Sequence, residues 1–394
     1  MNILYIWDAD YPWDIRVEKI CLSLVAAGHE VHIVSRNLER NPVYEEDKGL
    51  HIHRTKAWNN SRLNNVFSFP AFFNPVWGRL IDSIISRHSI DIIIVRDLPI
   101  AIAGIWAGKR YNLPVIFDMA EDYVALLRGI WQNAKFKGGN FLLRNPYIAK
   151  LVERYVFRKV DYFLVVVEEA KNVVIAAGVP DKCISIVSNT PELAKFEGGY
   201  KLHVTSDVGD RIRGSYSAIY TGGVQKGRGI QTVIEAIPLI IKKIPEFLFV
   251  IVGDGYAVDY FKKLAKEAGV EEYILWVGWV DHEELFAYIN DSKVGLIPHF
   301  SSEHVNSTIP NKLFDYMALA LPVLVSDALP LDRIVRVEEC GLSYKSGDAD
   351  ALQESLFEIY NSDRDFGAHG KEAVKRKYNW KTDENELLRV IHLF

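Results

Sequence analysis

Cysteine and long apolar runs are both scarce in this chain, and each scarcity excludes something. The three cysteines, Cys21, Cys183 and Cys340, are odd in number, widely spaced and free of any CxxC pair. They form neither a disulfide framework nor a thiolate metal cluster and suit a reducing compartment such as the cytoplasm. No run approaches the ~18 apolar residues that cross a bilayer; even the stretch from Ile84 to Val95 is broken by Arg87, His88 and Asp91. The opening MNILYIWDAD reaches Asp8 without a basic leader, which reads as a buried first strand and not as a signal peptide. Basic residues are outnumbered, 46 Lys and Arg against 51 Asp and Glu for a net charge of −5. A broadly cationic surface is therefore missing, and nucleic acid is not an expected partner. The eleven histidines show no HxxxH spacing with a third partner, so no metal is expected.

What remains is an ordinary globular composition, 49% hydrophobic and 25% charged, over 394 residues, too long for one core. Short continuous apolar runs alternate with helical patterns. The runs are Ile3–Trp7, Val31–Ser35, Ile92–Val95, Val115–Phe117, Tyr162–Val167 and Ile184–Val187, then Ala218–Tyr220, Leu248–Val252, Ile274–Val277, Gly295–Pro298 and Val323–Val325. Strands that are apolar on both faces belong to parallel sheets covered by crossover helices. Val17, Ile20, Cys21, Leu24 and Val25 form one helical stripe that Gly28 stops. Pro238 predicts a kink in the helix begun at Ile230, and Asp281 with Glu284 predicts a capping box. The expected fold class is α/β: two doubly wound Rossmann-like domains, at 1–195 and 215–376. A connector at 196–214 separates them, and a terminal helix at 377–394 packs back on the first. Such sheets bind ligands beyond the carboxyl ends of their strands.

Two segments carry chemistry. In YTGGVQKGRGIQTVIEA, residues 220–236, a strand ends in glycines, a basic pair follows and a helix begins. Glycine lets backbone amides approach an anion, the helix start adds a favourable dipole, and Arg228 can grip a diphosphate with its planar fork. A glycine turn with solvated Lys226 and Arg228 would read the same way. In PNKLFDYMALALPVLVSD, residues 310–327, Asn311 and Asp315 share a helix face with Lys312 adjacent. A carboxylate there can accept both hydroxyls of a ribose, although a solvated face with a Lys312–Asp315 pair also fits.

Together these segments resemble the family-four retaining glycosyltransferases of GT-B fold, with the PNKLFDYMA form similar to bacterial surface-polysaccharide transferases. The resemblance covers nearly the whole chain. In the family's KGxxxLIEA pattern a basic residue contacts the donor diphosphate, a role that falls here on Arg228 in RGIQTVIEA. The E-x7-E motif corresponds to Ser307–Asp315. VGDG (Val252–Gly255) and VGWV (Val277–Val280) match loops that surround the nucleotide base. The resemblance implies a cleft between the domains and a nucleotide-sugar donor, UDP-hexose by family habit. It also implies a saccharide or lipid-linked acceptor, retention by front-face attack and no metal. Arg228, Lys226 and Lys312 would oppose leaving-group charge. Gly222, Gly223, Gly253, Asp254, Val280, Ser307, Thr308, Ile309, Asn311 and Asp315 would line the donor. Asp14, Arg16 and Glu121 would face the acceptor.

Departures from the pattern leave two rivals open. Gly223 stands where the family has arginine, Ser307 replaces the first carboxylate, Asp315 is one methylene short, and Ala120 in DMAED replaces histidine. The rivals are a sugar-nucleotide 2-epimerase using Glu121, Asp118 and Asp315, and a catalytically weak nucleotide-sugar binder. Asp8-Ala9-Asp10 is a DxD sequence, but it follows the first strand of the acceptor domain, where a metal role is not expected. Residues 128–159 hold eight basic side chains against Glu153 alone, interleaved with Trp131, Phe136, Phe141, Leu142, Leu143 and Tyr147. That pattern fits peripheral contact with an anionic membrane, and equally a solvated helix face.

Overall fold

The computed structural model describes residues 1–12, 14–69, 72, 74–133, 144–196, 198 and 202–394. The chain divides into two units, residues 1–189 with 383–394, and residues 190–382. Among the described residues, the first unit carries an eight-stranded sheet in the order β3-β4-β2-β1-β5-β6-β7-β8. Its strands are β1 (Asn2–Asp10), β2 (Glu30–Arg36), β3 (Tyr44–Asp47), β4 (Leu50–Arg54), β5 (Ile92–Arg96), β6 (Val115–Met119), β7 (Tyr162–Val165) and β8 (Ile184–Ile186). Pairing is parallel except between β3 and β4. The second unit carries six parallel strands in the order β11-β10-β9-β12-β13-β14. These are β9 (Tyr216–Thr221), β10 (Phe247–Val252), β11 (Ile274–Gly278), β12 (Val294–Ile297), β13 (Val323–Ser326) and β14 (Gly341–Tyr344).

Each continuous apolar run became a parallel strand, because helices cover both faces of the sheets; only on the edge strand β11 do most of the run's residues stay partly exposed. The helix Ile15–Ala26 buries Val17, Ile20, Cys21 and Leu24, and the Asp14 carboxylate accepts from the Arg16 and Val17 amides at 2.9 and 3.0 Å. The hairpin β3–β4 and the strand β14 were not expected. β3 is exposed along its whole length and β4 alternates, LHIHR, so neither has a continuous run. Asp281 occupies the N-cap of the helix His282–Asp291 without a side-chain capping bond, which corrects the expected capping box.

The expected connector at 196–214 is also corrected. Asp291, buried in the second unit, accepts from His203 Nδ1 at 2.6 Å, the Val204 amide at 2.9 Å and Arg213 Nη1 at 2.6 Å. Those bonds hold residues 203–213, including the helix Asp207–Arg213, inside that unit. The first unit takes up the chain from Asp383, where Asp383 Oδ1 accepts from the Ser188 amide at 3.0 Å and Arg389 donates to Ser185 Oγ at 3.0 Å.

Both sheets have one switch point, where the chain returns to the other side of its first strand: between β1 and β5, and between β9 and β12. Crevices at such points are where open α/β sheets bind ligands. Beside the first lies Asp118 at the end of β6, with no exposure. Arg16 donates to it through Nε at 3.1 Å and Nη2 at 2.5 Å, Tyr5 donates at 2.7 Å, and Arg16 Nη1 donates to the Val187 carbonyl at 2.7 Å. Burial alone would raise the Asp118 pKa, but Arg16 holds it below the ordinary carboxylate value. Such stability is complete above the unfolded carboxylate pKa and disappears as pH falls through the folded one. Asp118→Asn should therefore destabilise the protein by about 3–5 kcal/mol, since it strands a buried guanidinium; urea denaturation at pH 7 measures this. A loss under 1 kcal/mol would show that the pair is not structural.

Candidate functional site

In the second unit the site forms around the carboxyl ends of β9 and β12. Gly222 follows β9 with φ of 103°, and its amide donates to the Val252 carbonyl at 2.8 Å. The glycine loop is interlocked with the loop after β10. A Cβ on Gly253 would lie 2.0 Å from the Gly222 carbonyl oxygen, and the Val224 amide donates to the Asp254 carbonyl at 2.9 Å. Gly229 opens the helix Ile230–Ile240 at φ 72°, where a Cβ would lie 1.7 Å from the Pro298 carbonyl oxygen. Only glycine lets this helix start lie against the end of β12. Pro238 lies within that helix, which ends two residues later.

The helix Lys312–Ala318 is fixed over the same place by Tyr316. Its buried hydroxyl accepts from the Thr221 amide at 3.0 Å, and its ring occupies space that a side chain on Gly295 would fill. This pinning sets Lys312 Nζ 3.7 Å above the Tyr220 ring, and 3.5 Å from where a Cβ on Gly222 would be. Burial, then the Arg228 charge, drive the Lys312 pKa well below the ordinary lysine value, with Asp315 opposing. His299, just beyond β12 and 2% exposed, has its pKa lowered by burial and by Lys312 and Arg228, and its Nε2 has no hydrogen-bond partner among the described residues. Three cationic or basic groups thus converge beside a helix start. An anion there would relieve their repulsion and restore the ammonium of Lys312.

The other expected donor residues are arranged less uniformly. Lys226 is exposed and lies 4.1 Å over the Tyr260 ring, so its charge is not gathered with the other two. Gly223 accepts from the Tyr220 hydroxyl through its carbonyl at 2.8 Å. The Asp254 carboxylate accepts from the Gly255 amide at 2.7 Å. Ser307 is buried and donates to the Glu303 and His304 carbonyls, so only its lone pairs remain for a ligand hydroxyl. Thr308 likewise donates to His304, and Ile309 is 9% exposed. Asn311 is exposed and Asp315 half-buried on the short helix, while Val280 follows β11 half-buried. His299 was missed because a lone histidine after a strand carries no pattern. Its signal was positional, the first polar side chain beyond a switch-point strand.

At the first unit's switch point, carboxylates gather. Asp8 on β1 and Asp97 after β5 are raised to about 6 and about 8, chiefly by burial, with Arg96 opposing both; Glu121 after β6 adds to both rises and Asp8 to that of Asp97. Asp97 has φ of 60°, a sparsely populated conformation for a non-glycine residue, and its Oδ1 accepts from the Ala120 and Glu121 amides at 3.2 and 3.3 Å. Asp14 ion-pairs with Arg96, whose guanidinium lies 4.3 Å from the Trp7 ring centroid. Arg16, expected toward an acceptor, is instead 2% exposed and committed to Asp118. Asp10 accepts from the Leu38 and Glu39 amides at 2.6 and 3.0 Å, which ties the loop after β2. Because the folded Asp97 pKa exceeds the unfolded one near 4, its contribution to stability is present below about pH 4 and is lost as pH rises through about 8. Asp97→Asn keeps the amide bonds and should flatten the pH dependence of the urea midpoint over that window. An unchanged profile would show that Asp97 ionises normally.

Comparison with known proteins agrees with this geometry. Residues 14–190 match the family described as "Glycosyl transferase 4-like domain" and residues 215–362 that described as "Glycosyl transferases group 1", one in each unit. An uncharacterized glycosyltransferase of Methanocaldococcus jannaschii, MJ1069, is 21% identical over 245 residues, 61% of this chain and 60% of the relative. A phosphatidyl-myo-inositol mannosyltransferase of Mycobacterium leprae is 27% identical over 166 residues, 41% of this chain and 42% of the relative. The chain thus spans less than two thirds of either relative's length. Among solved structures, Anabaena Alr3699/HepE in complex with UDP covers 100% of both chains at a TM-score of 0.73 and 11% identity, a likeness of fold. The chain belongs to the family-four glycosyltransferases and has their GT-B fold.

Proposed function

We propose that the protein transfers a hexose from a UDP-linked donor to a saccharide or lipid-linked acceptor in polysaccharide or glycolipid synthesis. The transfer retains anomeric configuration, needs no metal, and takes place in the cytoplasm. The observation that carries this reading is the Lys312 amine, held beside Gly222 with Arg228 and His299 at the carboxyl ends of β9 and β12, where a bound diphosphate would restore its charge. Charge grows on the diphosphate as the glycosidic bond breaks, and fixed cations in a dry site oppose it without reorganising. Asp315 binds the ribose. The departing phosphate oxygen takes the acceptor proton, so no protein base is required. The UDP bound in the Anabaena relative supports the choice of nucleotide, and the mycobacterial relative's name supports a lipid-linked acceptor. Epimerisation is not favoured, because Asp118 is locked by Arg16 and Tyr5 and cannot act as a free acid or base.

Membrane contact remains part of the proposal. Lys135, Phe136, Lys137, Phe141, Leu142 and Leu143 lie outside the described residues. Within them, the helix Pro146–Phe157 buries Ala149, Val152 and Val156 and turns Tyr147 and Leu151 outward, 75% and 65% exposed, along with Tyr155. Arg144, Arg154 and Arg158 are exposed beside them, while Lys150 pairs with Glu153. Apolar side chains spaced four apart with flanking cations suit an anionic lipid surface.

Three measurements test this reading. Release of UDP from UDP-hexose in the presence of acceptor should persist in chelator. In Arg228→Ala, kcat should fall by about 10²–10³ with a far smaller change in donor binding, because the contact strengthens in the transition state. Equal losses in kcat and binding would make Arg228 a uniform binder. In flotation assays, the protein should bind phosphatidylglycerol liposomes in low salt and not neutral ones, and Arg144→Glu/Arg154→Glu/Arg158→Glu should abolish binding while donor affinity is kept. Equal flotation with both liposome types would end the membrane reading.

A further inference from the structure

Three histidines that the sequence spacing did not associate meet on the first unit's sheet, away from the carboxyl-end switch point. His32 lies in the first half of β2, His53 near the end of β4, and His88 caps the end of the helix Pro75–Arg87. One ring nitrogen from each lies within 4.8 Å of the other two. His32 Nδ1 and His53 Nε2 are 3.1 Å apart, close to the ~3.3 Å edge of a tetrahedron with metal–nitrogen bonds of 2.0–2.1 Å. The remaining His32 nitrogen, Nε2, is 3.0 Å from Glu30 Oε1. Since a carboxylate only accepts, Nε2 carries the proton and Nδ1 presents its lone pair toward His53. A carboxylate behind a histidine in this way is the arrangement that orients metal-binding imidazoles.

From this geometry we infer that His32, His53 and His88 bind one divalent transition-metal ion of the zinc class, with water as a fourth ligand. Imidazole sets of this kind favour zinc over the hard cations calcium and magnesium, which take oxygen. His51 stays outside the set. Its ring stacks on His32 at 4.8 Å, and its Nδ1 faces the Tyr44 hydroxyl at 3.0 Å and Glu46 at 3.6 Å. Glu30 at the start of β2 and Glu46 on the edge strand β3 offset the charge of the ion, while Arg87 on the helix opposes it. His32 is fully buried, whereas His53 and His88 are half-buried, which gives an ion access from solvent. On binding, His53 shifts its proton from Nε2 to Nδ1, and the hydrogen bond to His32 is replaced by two metal bonds. The ion would tie β2, β4 and the helix end into one unit, so part of the binding free energy appears as fold stability.

The test uses tag-free, full-length protein stripped with chelator and titrated with zinc sulfate by calorimetry. One ion per chain is expected, with a rise in the thermal midpoint. His53→Gln and His88→Gln should each weaken binding at least tenfold, as should Glu30→Gln, and His369→Gln in the second unit should not. Histidine footprinting of the wild type, independent of any variant's folding, should show that zinc protects His53 and His88 and leaves His369 reactive. Substoichiometric binding, or one-to-one binding that survives both His53→Gln and His88→Gln, would overturn the assignment. So would a footprint in which neither His53 nor His88 is protected.

Discussion

A carboxylate with no exposure governs the first unit. Asp118 brings together Tyr5 from β1, Arg16 from the first helix and, through the same guanidinium, the Val187 carbonyl beyond β8. Burying a charge is tolerable only when it is paired and its remaining lone pairs are satisfied. That requirement fixes the first helix against β6 and sets how the ends of β1, β5 and β6 are spaced. The crowding of Asp8, Asp97 and Glu121, and the strained backbone of Asp97, follow from where those strand ends are held.

The second unit solves a related problem with neutral groups. Tyr316 satisfies the Thr221 amide at the end of β9 and rests where Gly295 leaves room, so the short helix it belongs to has one position over the sheet. Lys312, four residues before it, is carried into a place where its own charge is disfavoured. The helix start at Gly229 is pressed against Pro298 with equal lack of slack. Rigid neutral contacts here hold cations close together, whereas in the first unit rigid ionic contacts hold carboxylates close together. In both units the charged groups collect at the carboxyl ends of parallel strands.

The histidine cluster belongs to a different layer of the molecule. It lies toward the sheet edge formed by β4 and the exposed β3, the part of the first unit with the least continuous apolar sequence. Its neighbours are polar or aromatic on that face, with Tyr44, His51 and Glu30 in contact.

Continuous apolar runs separated by amphipathic helices were enough to read two doubly wound domains from the sequence, because a strand covered on both faces must be apolar at every position. The glycine loop with Arg228 and the helix bearing Lys312 and Asp315 were legible for the same local reason, since each motif sits within a few consecutive residues. What lay in long-range pairing was not legible. The edge hairpin β3–β4 has no apolar run to announce it. His203, Val204 and Arg213 looked like part of a connector until Asp291 captured them from later in the chain. Arg16 looked like an acceptor-facing cation until Asp118 drew it inside. His299, Asp97 and the three histidines acquire meaning only from neighbours that the sheet order supplies. Short-range hydrophobic period decides which elements form, whereas a buried charge or a ring nitrogen is defined by partners tens of residues away, and only the tertiary structure chooses those.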